Sequence, residues 1–242
     1  MILLEWYIPL GLLGGLLWVL LRRHAYATLP WFVSYAVFAF AAGISRLAVH
    51  NRPNLYYATY YITEAGYDLL GILVMYEVLR AVLGTLTRAW WARLIFPTVL
   101  VGGVLLSFAR AQAAPTPFTR RLAFYILIGE IAVRFVQVFI FAGLVTLVPL
   151  LGLRWRQYPF GVAAGFGLYS TIALLITTKL SDFGTRFMFL WNLVSLVAYS
   201  LTVLIWIWFF SVPQKSETPA PELSALSPAD LKKYKNALRR MR

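Results

Sequence analysis

Apolar residues run along the chain in seven long stretches, each separated from the next by a short polar break. The stretches cover residues 4–21, 31–50, 57–83, 92–108, 122–147, 160–179 and 187–211. A helix needs about 20 apolar residues to cross the hydrocarbon of a bilayer, so each stretch predicts one membrane-spanning helix. The breaks carry turn chemistry: Arg22 and Arg23 up to Pro30, Asn51 to Asn54 around Pro53, Gly84 to Arg88, Ala113 to Pro117, Gly152 to Pro159, and Ser181 to Thr185. None of them is long enough for a folded domain. The expected architecture is an all-α polytopic membrane protein, a seven-transmembrane-helix bundle over residues 1–211.

Composition supports this reading. Hydrophobic residues make up 61% of the 242 positions and charged ones only 13%, with a mean hydropathy of +0.73. Such values exclude a water-soluble enzyme. The first stretch is read as a retained helix rather than a cleaved leader, although Ala25-Tyr26-Ala27 offers small residues after an apolar run. A leader carries its positive charge ahead of the apolar run, whereas here Glu5 precedes it and Arg22 and Arg23 follow.

Seven spans place the termini on opposite sides, and basic residues set the direction. The side shared by the first, third and fifth loops and the tail carries 14 Lys and Arg residues, and the other side carries 5. Half of the 14 lie in the tail. The excess predicts the N-terminus outside and the C-terminus in the cytoplasm. A net charge of +13 would fit nucleic acid, but these positives flank spans as anionic lipid requires, so no nucleic-acid partner is expected. Compactness and short loops are read as a bacterial-type inner membrane.

Beyond the last span, residues 212–226 turn to Pro, Ser, Glu and Ala and read as a flexible linker. Residues 227–242 then read as a basic amphipathic helix, with Ser227 at the N-cap, Pro228 at the first position and Leu231, Tyr234 and Leu238 on one face. That tail would lie on the membrane surface or dock a membrane or cytoplasmic protein partner.

A faint internal echo links the approach to the second span, Arg23-His24-Ala25-Tyr26 with Pro30-Trp31-Phe32, to that of the sixth, Arg154 to Phe160. Spans one to three would then correspond to spans five to seven. This layout is similar to SWEET-type sugar carriers and to microbial rhodopsins. The residues depart from both. Span seven holds no lysine to carry retinal, and the Pro-Gln pair of the SWEET carriers occurs only at Pro213-Gln214, outside the spans.

The informative chemistry is the ionisable residues inside spans, which cost roughly 2.5–3.5 kcal/mol each to insert and so face a bundle interior or a watery cavity. Span three carries Glu64 and Asp68 one turn apart, with Tyr60 and Tyr61 on or beside the same stripe, as are Tyr57 and Tyr67. Span five repeats the spacing with Glu130 and Arg134, followed by Gln137. At 1.5 Å per residue all four charges fall about 10–18 Å below the outer surface. Arg46 in span two, Lys179 at the end of span six, and Asn192 with Ser195 and Tyr199 in span seven would converge on the same outer half. Arg46, Arg134 and Lys179 formally balance Glu64, Asp68 and Glu130. Such charges serve either as interhelical glue or as an outward-facing, proton- or ligand-binding pocket bounded by spans two, three, five, six and seven. Glu77 and Arg80, three apart near the cytoplasmic end of span three, read as an ordinary ion pair.

Many familiar chemistries are excluded. With no cysteine there is no disulfide, thiolate metal site or cysteine nucleophile. His24 and His50 fall on opposite sides of the membrane, too far apart for bis-histidine haem. The signatures of zinc proteases, serine hydrolases and P-loop nucleotide hydrolases are missing. Tyr67-Asp68 is half of an intramembrane aspartyl protease motif, but its Gly-x-Gly-Asp half is absent, and no cofactor is expected. The leading expectation is a receptor or sensor that binds an unknown small ligand outside and signals through a separate partner. The alternatives are a proton-coupled small-molecule transporter and a non-catalytic accessory subunit of a larger membrane complex.

Overall fold

The computed structural model describes residues 2–83, 90–113, 121–150, 157–183 and 188–212. Among them are seven α-helices: α1 (Ile2–Arg22), α2 (Pro30–Val49), α3 (Pro53–Leu83), α4 (Trp90–Ala113), α5 (Arg121–Leu150), α6 (Gln157–Phe183) and α7 (Met188–Ser211). Each apolar stretch is one helix. The ends differ by a few residues, most at α4, which runs on to Ala113, because helix propagation needs backbone hydrogen bonds rather than apolar side chains. The tail beyond Val212, with most of the expected linker and the whole expected basic helix, lies outside the described residues.

Four segments are long and apolar enough to cross a membrane: Pro30–Val49 in α2, Ile128–Leu150 in α5, Gln157–Ile176 in α6 and Asn192–Ser211 in α7. Shorter apolar segments lie in α1 (Tyr7–Arg22) and α4 (Phe96–Ala109). α3 does not qualify despite its 31 residues. The reason lies in its sequence, which interrupts the apolar run with Glu64, Asp68, Glu77 and Arg80. The outer surface is apolar nevertheless, with Ile62 72% exposed, Leu105 64% and Leu150 79%. Arg46, Glu64, Asp68, Glu130 and Arg134 face inward and apolar surface faces outward, the arrangement a lipid solvent demands.

The packing forms a closed ring. α1 packs on α2, α2 on α3, α3 on α5, α5 on α6, α6 on α7, and α7 back on α1. α3 also reaches α6 across the middle. α4 stands outside this ring, packed on α5 and barely touching α3. Gly103 of α4 allows that approach, since a Cβ there would lie 3.0 Å from the carbonyl oxygen of Ala132.

Short connections make successive helices antiparallel, so the start of α1, the end of α2 and the starts of α3, α5 and α7 share one end, called upper here. The lower half is filled by aromatic side chains. Phe32 stacks on Phe210 with centroids 5.4 Å apart, Tyr158 on Phe210 at 4.6 Å, and Trp206 crosses Phe32 at 5.1 Å. Phe166 and Tyr35 continue the cluster upward, 5.0 Å apart. Trp206 is 1% exposed, and its indole N–H donates to the Val162 carbonyl at 3.4 Å. It lies so close over Gly165 that any Cβ there would collide with the indole ring.

Two side chains tie off the lower rim. Glu77 does not pair with Arg80; its carboxylate instead accepts the Trp31 N–H at 3.1 Å and the Phe32 N–H at 3.0 Å. The first turn of a helix has free N–H groups and a positive dipole end, so it outcompetes a solvated arginine for the carboxylate. Arg23 does the reverse at the last turn of α7, donating to the Ser211 carbonyl at 2.5 Å.

Candidate ligand cavity

The upper half holds a cavity of about 270 Å³ within the ring. Helix periodicity explains why its charges meet. Glu64 and Asp68 lie one turn apart on α3, and Glu130 and Arg134 one turn apart on α5, so each pair projects from one face. α3 and α5 are direct neighbours, and both faces turn into the cavity. Arg46, in the last turn of α2, completes the set.

Arg46 is held by several partners. Its Nε donates to the Thr63 hydroxyl at 2.8 Å, and its Nη2 donates to Glu64 Oε1 at 2.9 Å and to the Tyr60 carbonyl at 3.4 Å. The guanidinium also lies over the rings of Tyr60 and Tyr67, 4.7 and 5.5 Å from their centroids. Arg134 forms an ion pair with Glu130 and lies 5.1 Å over the ring of Tyr169. Its Nη1 is buried and has no hydrogen-bond partner. A buried donor left unpaired costs about 1–3 kcal/mol, so it marks a place where an acceptor is wanted.

Asp68 differs from the other two acids. Among the described residues there are two ion pairs, Arg46–Glu64 and Arg134–Glu130, and Asp68 belongs to neither. Its carboxylate lies over Gly129, where a Cβ would come within 3.1 Å of Oδ2. Glycine at 129 thus leaves room for the carboxylate at the α3–α5 seam. Below it, Ser170 of α6 donates to the side-chain carbonyl of Gln137, both residues being buried, and this polar contact forms part of the floor.

Of the residues the sequence marks, the structure brings eight together in the cavity wall: Arg46, Glu64, Tyr67, Asp68, Glu130, Arg134, Gln137 and Tyr199. Tyr60 stands one layer back, stacked on Arg46, and Tyr61 packs against Tyr60 at 5.6 Å rather than on the cavity. Asn192 is exposed on α7 and does not line the cavity. Asn192 shares the helix face of Tyr199, seven residues further, but lies about 10 Å nearer the start of α7. The side chain of Lys179 lies outside the described residues.

Several wall residues escape the sequence reading. Tyr35 and Tyr169 line the cavity, as do Pro9, Leu10 and Leu13 of α1, a helix not expected to bound it. Tyr35, Ala39, Gly43 and Arg46 share a face of α2 at helical spacing, a stripe that counting back from Arg46 would reveal. α1 offers no such signal, since its contribution is wholly apolar.

No protein-family model, curated protein or solved structure matches the chain. The chemistry of the cavity must carry the functional reading. Two guanidinium groups and three carboxyls line it, a formal balance of one negative charge. Among the described residues no group of three or more His, Asp or Glu side chains is placed to hold a metal ion. The acids are spread along the wall, two of them neutralised locally. Among the described residues there remain one carboxyl group outside both ion pairs, one buried guanidinium nitrogen without a hydrogen-bond partner and a set of aromatic faces.

Proposed function

We propose that the chain is a seven-span integral membrane protein of a bacterial-type inner membrane, N-terminus outside and C-terminus in the cytoplasm. In this reading it is a receptor or sensor that binds a small polar ligand in the upper cavity and signals through a separate protein. The observation that carries the reading is a polar cavity confined to one half of the bundle above a packed aromatic floor. A ligand entering from above meets ionisable groups on three helices and then a barrier, as binding without passage requires. The polarity of α3 is compatible with spanning, because its acids face the ring interior. The excess of Lys and Arg on the other side supports the orientation.

One observation favours a second reading, a proton-coupled carrier. The order of neighbours around the ring, α1, α2, α3, α5, α6, α7, maps onto itself when α1–α3 exchange with α5–α7, and α4 stands outside as a linker would. Asp68, an acid outside both ion pairs among the described residues, suits proton binding in such a carrier.

Native mass spectrometry of the protein, extracted gently from its host membrane, tests the receptor reading. A bound small molecule on the monomer or homo-oligomer is expected. Counter-flow of that molecule in proteoliposomes, lost in Glu64→Gln, would replace the receptor with the carrier. Recovery without ligand and in fixed ratio with other membrane chains would overturn both and make the protein an accessory subunit.

A further inference from the structure

We propose that the cavity takes a small organic ammonium ion, paired with the carboxylate of Asp68 and enclosed by aromatic faces, with an oxygen of the same molecule accepting from Arg134. The inference rests on the reading of the cavity as a ligand site and names the ligand's chemical class.

The argument begins with charges already spoken for. Arg46 is held by Glu64, Thr63 and the Tyr60 carbonyl, and Arg134 is held by Glu130. Neither guanidinium has an unneutralised charge to offer an anion. Among the described lining residues Asp68 is the one acid or base outside both ion pairs, and these five charged groups sum formally to one negative charge. An anion would meet that excess in a site of low dielectric, whereas a monocation cancels it and favours the ionised carboxylate.

The walls favour the same class. Tyr35, Tyr67, Tyr169, Tyr199 and Phe166 all line the cavity. They meet edge to face, Tyr35 with Phe166 at 5.0 Å and Tyr169 with Tyr199 at 6.0 Å. Aromatic faces attract cations, and two of these rings already do so here, Tyr67 under Arg46 and Tyr169 under Arg134. An ammonium bearing carbon substituents gains most from such walls, because it surrenders less hydration than an inorganic cation. The buried Nη1 of Arg134 supplies the remaining feature, a donor that an alcohol or carbonyl oxygen of the ligand would satisfy. Size sets the limit. The cavity, about 270 Å³, suits a small organic ion.

The absence of native cysteine allows a direct test, since Val133→Cys places a single thiol in the cavity wall. The rate at which neutral methyl methanethiosulfonate modifies it is measured in the purified full-length protein, alone and with tetramethylammonium, choline or acetate at equal ionic strength. Modification without added ions is expected, showing an open cavity. Saturating choline is expected to slow it by about tenfold, tetramethylammonium less because it lacks the oxygen for Arg134, and acetate not at all. In the Asp68→Asn background the protection should vanish while modification of the empty cavity persists. Protection by acetate, protection by no cation, or protection that survives Asp68→Asn overturns the ammonium inference and leaves the cavity reading standing. No modification of Val133→Cys, nor of Ala39→Cys on the facing wall, overturns the cavity reading and the inference with it.

Discussion

The two halves of the ring use the same helices in opposite ways. In the upper half, α2, α3 and α5 turn five ionisable side chains toward one another, and the helices stand apart around a cavity. In the lower half, α2, α6 and α7 turn Phe32, Tyr158, Phe166, Trp206 and Phe210 toward one another, and the rings interlock while Gly165 lets Trp206 close in. Ionisable groups keep some access to water because complete burial is costly, whereas aromatic rings gain from every contact that removes space. The bundle is thus closely packed below and holds its cavity above.

Substitutions should separate the halves by the size of their effects on stability. Trp206→Ala removes the largest fully buried side chain of the lower cluster and should cost about 3–5 kcal/mol, read as a fall in the unfolding temperature in detergent. A loss under about 1 kcal/mol would mean that the aromatic cluster is not what holds the ring closed. Arg46→Met should cost about 2 kcal/mol by leaving Glu64 without its cationic partner, and adding Glu64→Gln should recover at least half of that. If the double variant is no better than the single one, the pair is not coupled as its geometry implies. Asp68→Asn should change stability by less than about 0.5 kcal/mol, because among the described residues Asp68 has no ion-pair partner to lose. A large loss there would give Asp68 a structural role and erase its contrast with Glu64.

The helices were legible because each apolar stretch is long, and length is the strongest signal a membrane chain carries. The meeting of Arg46, Glu64, Asp68, Glu130 and Arg134 was legible because charges at helical spacing in apolar surroundings have few places to go. Other features depend on helix neighbours, which hydropathy does not encode. α4 is as apolar as a ring helix yet lies outside the ring, and α1 lines the cavity through Pro9, Leu10 and Leu13 without a polar residue to announce it. Spacing along α3 pairs Glu77 with Arg80, whereas its partner is the first turn of α2, about 45 residues away in sequence. Spacing assigns Asn192 to the cavity with Tyr199, whereas it lies exposed about 10 Å nearer the start of α7.

The central claim is that the upper cavity opens to the outside and the lower half is closed. Two single-cysteine variants test it in intact cells with a membrane-impermeant thiol reagent, Val133→Cys in the cavity wall and Val78→Cys in the fully buried lower core. The account expects Val133→Cys to be modified from outside and Val78→Cys to stay unmodified until the protein is unfolded. Modification of Val133→Cys only after the cytoplasmic face is exposed, or equal modification of both, would contradict it.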